Sequence, residues 1–315
     1  MLKNYLTKKG LAALIIVTTI ILVIYLYNAT NKIESETYSS FTEKILDDLT
    51  HEENLLENIG ITNAIFLAQR PAIKDALINN DRSLAIADLK KVNRLFQKST
   101  RIDNIQIHIH DNKVKSFIRS WKLKKFGDDL SGFRKAIVKV QKEHTPFFGF
   151  EVGRVGLTLR SIVPVKDADS YLGSVEFIQD FARVPKNFER KGNNHLLLIH
   201  KKYLDTATYL TSAPTVGEYK LSTNSFNEAF LQAAQSIDLE KLKKEKYLLT
   251  KKYFFTYKTI KDVEGNALGM HLLASPAENL NTAVSDAKQS FLAIALIIYI
   301  SIIVILSALI ILRRK

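Results

Sequence analysis

The sequence predicts an α+β fold in which antiparallel sheets are carried on a long N-terminal helix and bracketed by two apolar segments. Three observations predict it. Uncharged apolar runs lie near both ends of the chain, at 11–27 and 291–312. From Asn31 to about Gln69 the apolar residues recur at helical spacing without a proline. From Ile105 onward, short alternating runs of strand type are separated by Gly, Asp and Asn turn signals, with helical inserts between them.

The first apolar run, LAALIIVTTIILVIYLY from Leu11 to Tyr27, rises about 26 Å as a helix, and its tyrosines suit the headgroup layer. A cleaved signal peptide is the competing reading. No small-x-small site follows closely and the run is long for a leader, so a retained anchor is expected. The second run, Phe291 to Leu312, rises about 33 Å and ends on Arg313, Arg314 and Lys315. Lys3, Lys8 and Lys9 flank the first run on its outer side. Positive residues outside both spans place both termini in the cytoplasm and residues 28–290 across the membrane.

The formal charge is +13, but lysines are scattered along the chain and no dense basic helix or aromatic-basic platform occurs. Nucleic acid is therefore not an expected partner. The absence of cysteine excludes disulfides, thiolate metal sites and cysteine nucleophiles.

Between the spans, Ile33, Phe41, Ile45, Leu49, Leu55, Leu56, Ile59 and Phe66 form one broad stripe on a long helix. That face needs cover from the domain, from a partner copy, or from both. Pro71 breaks the helix and starts a short one, and Asp81 is an N-cap for SLAIADLKKVNRLFQK. Ile105, Ile107 and Ile109 alternate with Gln106, His108 and His110 as a half-buried strand, and Asp111-Asn112-Lys113 turns it into VKSFIRSW. Leu130 to Lys142 reads as a helix with Phe133, Ile137 and Val140 on one side. FFGFEV, VGLTLRSIVPV and YLGSVEFI complete a small antiparallel sheet with its helices expected on one side. The remainder repeats the plan in shorter form: HLLLIHKKYL, a stretch VGEYKLSTNSFNEAFLQAAQSI that turns helical, KYLLTKKYFFTYKTI, the turn DVEGN and ALGMHLLAS. Ala277 to Ser290 is then a helix leading into the second span.

Candidate recognition residues gather in the first of these units. Strict alternation from Val114 to Trp121 puts Phe117, Arg119 and Trp121 on one face. An arginine between aromatics suits a carboxylate, because its planar fork donates two parallel hydrogen bonds. A pairing with an acid at the sheet edge is the plainer role for Arg119, and a core position the plainer one for Trp121. Asp128 and Asp129 suit the amine of a zwitterion or, more simply, a helix N-terminus. Arg134 and Arg160 are placed to line the same cleft, with Glu151 and Glu176 as their ion-pair partners. His108 and His110 share a strand face and have two of the ligands a zinc or copper site needs, although a solvated face is the commoner outcome of such spacing. No metal or cofactor is expected.

The string FIRSWKLKKFGDDLSGFRKAIV, followed by GFEVGRVGLTLRSIVPV and GSVEF, resembles the double Cache sensor domains of bacterial chemoreceptors and two-component sensor kinases. The resemblance covers roughly 33–276 and is densest from Ile105 to Phe177. It implies a stalk helix and two PAS-like antiparallel-sheet modules flanked by transmembrane helices. The organisation expected is a tail (1–10), transmembrane helix (11–27), stalk (28–70), membrane-distal module (71–185) and membrane-proximal module (186–276). A connecting helix (277–290), transmembrane helix (291–312) and short tail (313–315) follow. The resemblance further implies a small-molecule ligand in the distal module and a homodimer through the stalk helices. Receptors of this kind continue past the second span into an output module, whereas this chain stops at Lys315. Either a stand-alone sensory subunit with a separate signalling partner or a truncated gene accounts for that.

The function expected is therefore extracytoplasmic sensing of a small organic anion such as a carboxylate, at the cytoplasmic (inner) membrane. The alternative is a membrane-tethered structural or assembly protein without a ligand, whose cleft is filled by its own side chains. An enzyme is not expected: no nucleophile elbow, HExxH or paired-carboxylate signature is present.

Overall fold

The computed structural model describes residues 2–99, 106–179 and 181–312. The expected strand start at Ile105, the basic tail Arg313–Lys315 and the side chains of Lys3, Lys8 and Lys9 lie outside what it describes. The chain forms two compact units, one of residues 1–45, 249–254 and 275–315, the other of residues 46–248 and 255–274.

In the first unit the N-terminal part of α1 (Leu2–Ala68) lies beside α8 (Ala277–Leu312). Thr19 Oγ1 and Tyr299 OH share a hydrogen bond of 2.8 Å, and the rings of Tyr25 and Phe291 are 6.5 Å apart. Further along, Lys288 pairs with Glu34, while Tyr38 and Phe41 hold the ring of Phe254. The segments expected as anchor and stalk are thus one unbroken helix, which the sequence allowed because nothing between Tyr27 and Asn31 breaks one.

The second unit opens with the end of α1 and with α2 (Pro71–Asn79) and α3 (Arg82–Ser99). Asn80 takes a left-handed conformation to end α2, and Asp81 Oδ1 accepts the Ser83 amide at 2.8 Å to start α3. Arg70, just past α1, forms a two-pronged ion pair with Asp88 of α3. Strands β1 (Gln106–Asp111), β2 (Ser116–Arg119), β3 (Phe147–Gly153), β4 (Gly156–Asp167) and β5 (Ser170–Gln179) build an antiparallel sheet in the order β2-β1-β5-β4-β3. Asp111 Oδ1 accepts the amides of Lys113 and Lys115, closing the β1–β2 turn.

Alternation along these strands separates two faces. Ile107, Ile109, Val163, Val165, Val175 and Phe177 pack against α2, α3 and the end of α1 in a continuous core. The opposite face carries His108, His110, Ser174, Glu176, Arg160 and Ile162. It is covered as well: α4 (Lys135–Glu143) packs Ala136, Ile137 and Val140 on Ile162, together with Val114 and Leu130. Helices therefore lie on both sides of this sheet, not on one. The insert helix is also shorter than expected. It begins after Arg134 and leaves Phe133 outside it and 65% exposed.

The second sheet has the order β7-β8-β6-β11-β10-β9, from β6 (Asn194–His200), β7 (Thr215–Val216), β8 (Tyr219–Leu221), β9 (Tyr247–Leu249), β10 (Tyr253–Lys261) and β11 (Ala267–Pro276). Of the stretch expected to turn helical, only α6 (Glu228–Gln235) does so, because VGEYKL supplies the end of β7 and all of β8. Helices α5 (Arg183–Arg190) and α7 (Leu239–Glu245) were not expected, because Pro185 and the charged run LEKLKKE hide their few buried apolar residues.

Candidate functional site

The polar face of the five-stranded sheet is built around Glu176, in the middle of β5 and fully buried. Its register sets it against His108 of β1 on one side and Ile162 of β4 on the other. Oε1 accepts from Arg134 Nη2 at 2.5 Å and from Arg160 Nη1 at 2.6 Å. Oε2 faces His108 Nδ1 at 3.2 Å and His110 Nε2 at 3.5 Å. Glu151 of β3 completes the group, with Oε2 at 2.9 Å from Arg134 Nε and 3.4 Å from Arg160 Nε. Two guanidinium groups thus balance two carboxylates inside the protein.

The electrostatics follow from this packing. Burial opposes ionisation of Glu176, but the charges of Arg134 and Arg160 and the approach of both histidines hold its carboxyl well below the usual range. Burial likewise opposes the charge on Arg134, and the two glutamates overcome it and raise its pKa. For His108 and His110 burial dominates and pushes both pKa values down, so both are neutral at pH 7. Each spends its remaining ring nitrogen on a serine: His108 Nε2 on Ser116 Oγ and His110 Nδ1 on Ser174 Oγ, both at 2.9 Å. The solvated face expected for this histidine pair is thereby corrected, since the chain from Leu130 through α4 covers it.

Toward the edge of the same face, Arg119 makes two parallel bonds of 2.7 Å to the carboxylate of Asp128, and a third of 3.0 Å to the Lys125 carbonyl. Hydrogen bonding by Arg119 lowers the Asp128 pKa to about 2. Trp121 is 44% exposed, with its ring 5.7 Å from that of His108. Asp129 sits outside this group, its Oδ1 accepting from the amide and hydroxyl of Ser131.

Phe117 departs from the expected alternation. Between Ile109 and His110 the β1–β2 register shifts, so that Ile109 faces Ile118 while His110 faces Ser116. Phe117 is the extra residue of this bulge and joins the core under α2 and α3, away from Arg119. Arg119, Arg134 and Arg160 share the polar face, with Trp121 at its rim.

Sequence reasoning missed the two orienting serines and a second buried polar chain. In the six-stranded sheet His195 Nε2 lies 2.9 Å from His271 Nδ1, and His271 Nε2 lies 3.3 Å from Glu53 of α1. Glu53, Glu57, Phe148, Phe150, Lys261 and His271 line a cavity of about 210 Å³. The only local signal was a histidine in each of two apolar strands, His195 in HLLLI and His271 in GMHLLAS, whose partner is unreadable without the fold.

Two antiparallel sheets strung on a long helix, the first with a covered polar face, define a tandem sensory architecture. The chain belongs to the family described as the double sensory domain of two-component sensor kinases, a double Cache family, whose model matches residues 42–280. No curated protein sequence matches it. Among solved structures it is similar to a domain of a sensory box/GGDEF family protein from Vibrio parahaemolyticus, at 15% identity over 79% of this chain and 99% of that one, TM-score 0.45. It is similar also to the ligand-binding domain of the Campylobacter jejuni chemoreceptor Tlp3 in complex with L-valine, at 14% identity over 79% and 97%, TM-score 0.45. The ligand-binding domain of the Pseudomonas fluorescens chemoreceptor CtaA in complex with L-leucine gives 12% identity over 79% and 99%, TM-score 0.44. The chain is thus a sensory protein by family, and α1 and α8 each contain a stretch long and apolar enough to cross a membrane.

Proposed function

We propose that this chain is an inner-membrane sensor that binds a small organic anion, a carboxylate, on the polar face of its five-stranded sheet. The observation that carries the reading is the Arg119–Asp128 pair. A two-pronged guanidinium–carboxylate contact is made two residues before the exposed Trp121, whose ring lies against His108 on the neighbouring strand, and the Asp128 side chain is 36% exposed. Asp128 holds the place a ligand carboxylate would take. It belongs to the 120–134 segment, which has turns and a single bridge but no helix or strand. A ligand that displaces Asp128 would move that segment, release Asp128 and Asp129 for an amine, and use Trp121 as its cover. Arg134 and Arg160 would contribute positive potential from beneath, and Phe117 would support the strand from the core. The ligand acts by binding the displaced arrangement more tightly than the resident one.

In this reading residues 11–27 and 291–312 span the membrane, both termini are cytoplasmic, and the distal (71–185) and proximal (186–276) modules are periplasmic. A second copy covers Leu55, Ile65 and Phe66, each more than 40% exposed along α1.

The test is thermal unfolding of the full chain in lipid nanodiscs against a panel of small carboxylates and amino acids. A melting shift that grows with ligand concentration and vanishes in Arg119→Ala is expected. A clean melt that no compound moves would favour the structural or assembly reading. That reading has its own supporting observation, because Glu151 and Glu176 already occupy Arg134 and Arg160.

A further inference from the structure

We propose that His108, His110 and Glu176 form a three-ligand site for a first-row transition dication of the zinc, nickel or copper type. The three residues are 2%, 0% and 0% exposed, and one ligating atom from each lies within 4.8 Å of the others. The two separations from the carboxylate to the imidazoles are those a metal requires. Ligands about 2.0–2.1 Å from a tetrahedral zinc stand about 3.3–3.4 Å apart. Glu176 Oε2 is 3.2 Å from His108 Nδ1 and 3.5 Å from His110 Nε2.

Three further features fit coordination better than packing alone. First, Arg134 and Arg160 both bond to Oε1 and leave Oε2 to the imidazoles. Second, His110 Nε2 is buried and makes no hydrogen bond, although it points at Oε2. Third, each imidazole has its other nitrogen on a serine hydroxyl, the outer contact that orients a ligating histidine. A hydroxyl both donates and accepts. Without metal, Ser116 and Ser174 donate to the rings and the ring N–H groups face Glu176. With metal, each ring carries its proton on the serine side and turns its lone pair to the ion, so no proton enters or leaves the site. Three protein ligands leave one position open. The site stands independently of the anion reading, because Arg119 and Asp128 supply none of its ligands.

The test uses the full chain in nanodiscs, stripped with a chelator and titrated with Zn²⁺, with bound metal counted after dialysis. One tight equivalent per chain is expected. Electron paramagnetic resonance of the Cu²⁺-loaded protein should show coupling to two imidazole nitrogens, falling to one in His110→Gln. Ser174→Ala retains all three ligands and should weaken Zn²⁺ binding about 10- to 100-fold. Ni²⁺ should quench the chain's single tryptophan, whose ring contacts His108. Arg119→Ala should bind Zn²⁺ as the parent does, even where it loses every anion response. The proposal is overturned if the parent protein takes up no stoichiometric metal, if its Cu²⁺ spectrum lacks two-nitrogen coupling, or if uptake survives His108→Gln/His110→Gln.

Discussion

Arg134 Nη2 donates to Glu176 Oε1 at 2.5 Å, joining the residue just before α4 to the central strand across 42 positions of sequence. The contact ties the covering segment to the sheet, and the same oxygen accepts Arg160. Such a buried group is finely balanced: as an intact set it need not exceed an apolar core in stability, but a broken set leaves charge without compensation. The polar face is thus a place where small chemical changes have large structural consequences.

Glu176→Gln tests that balance. It keeps the shape and removes one of two carboxylates facing two guanidinium groups. We expect a loss of about 3–5 kcal/mol, read from denaturant unfolding of the full chain in detergent micelles. A loss near zero would mean that Arg134 and Arg160 reach water or another anion.

Asp128 behaves differently because its side chain is 36% exposed. Its bonds to Arg119 lower its pKa to about 2, against about 3.9 in an unfolded chain. The pair therefore contributes fully above about pH 4, and the contribution disappears as the pH falls through about 2. Solvent screening limits its size. Asp128→Asn should cost no more than about 1 kcal/mol at pH 7, and that cost should shrink as the pH falls toward about 2. A pH-independent cost would show that the charge on Asp128 is not what Arg119 holds.

Features with local causes were legible in the sequence. Asp81 starts α3, Asp111 closes the β1–β2 turn, and Asp262 Oδ1 accepts the amides of Glu264 and Asn266 in DVEGN. Alternation in IQIHIH separated Ile107 and Ile109 from the histidines. It could not show that the histidine side is covered, because Glu176 is 68 residues from His108 and the α4 cover is a tertiary event. The bulge at Phe117 left no mark either, since one extra residue in a strand changes the face without changing the composition. Helix α5 was hidden by Pro185, which periodicity reads as a break although it lies near the helix start.

Gly173 is the tightest joint beside the site. It pairs with Asp111 of β1 at a φ of +153°, and a Cβ there would stand 2.1 Å from the His110 carbonyl oxygen. Backbone cannot rotate away as a side chain can, so Gly173→Ala must part β1 from β5. The expected cost is about 2 kcal/mol or more, with faster amide exchange at His110 and Asp111. Unchanged exchange at those two amides would mean that the strands accommodate the methyl group without separating.

The last prediction concerns acid. His195 is buried among Phe181, Phe188 and His271, and burial, reinforced by the charge of a protonated His271, pushes its pKa well below the ordinary value. The folded chain keeps it neutral where the unfolded chain protonates it, at an ordinary pKa of about 6.5. Below that pH the unfolded state binds the extra proton, so stability falls as the solution is acidified, by up to about 1.4 kcal/mol per pH unit for each such group. His108, shifted down by burial in the same way, adds to the slope. Unfolding measured from pH 7.5 to 5.5 should therefore show a stability that decreases with acid. His195→Phe, which places a third phenyl group beside Phe181 and Phe188, should flatten the slope by about one proton. The variant has its own cost at pH 7.5, because His271 Nδ1 loses its partner, so the slope and not the absolute stability is the readout. An unchanged slope would mean that His195 is not protonated on unfolding in this range and that the acid sensitivity resides elsewhere in the chain.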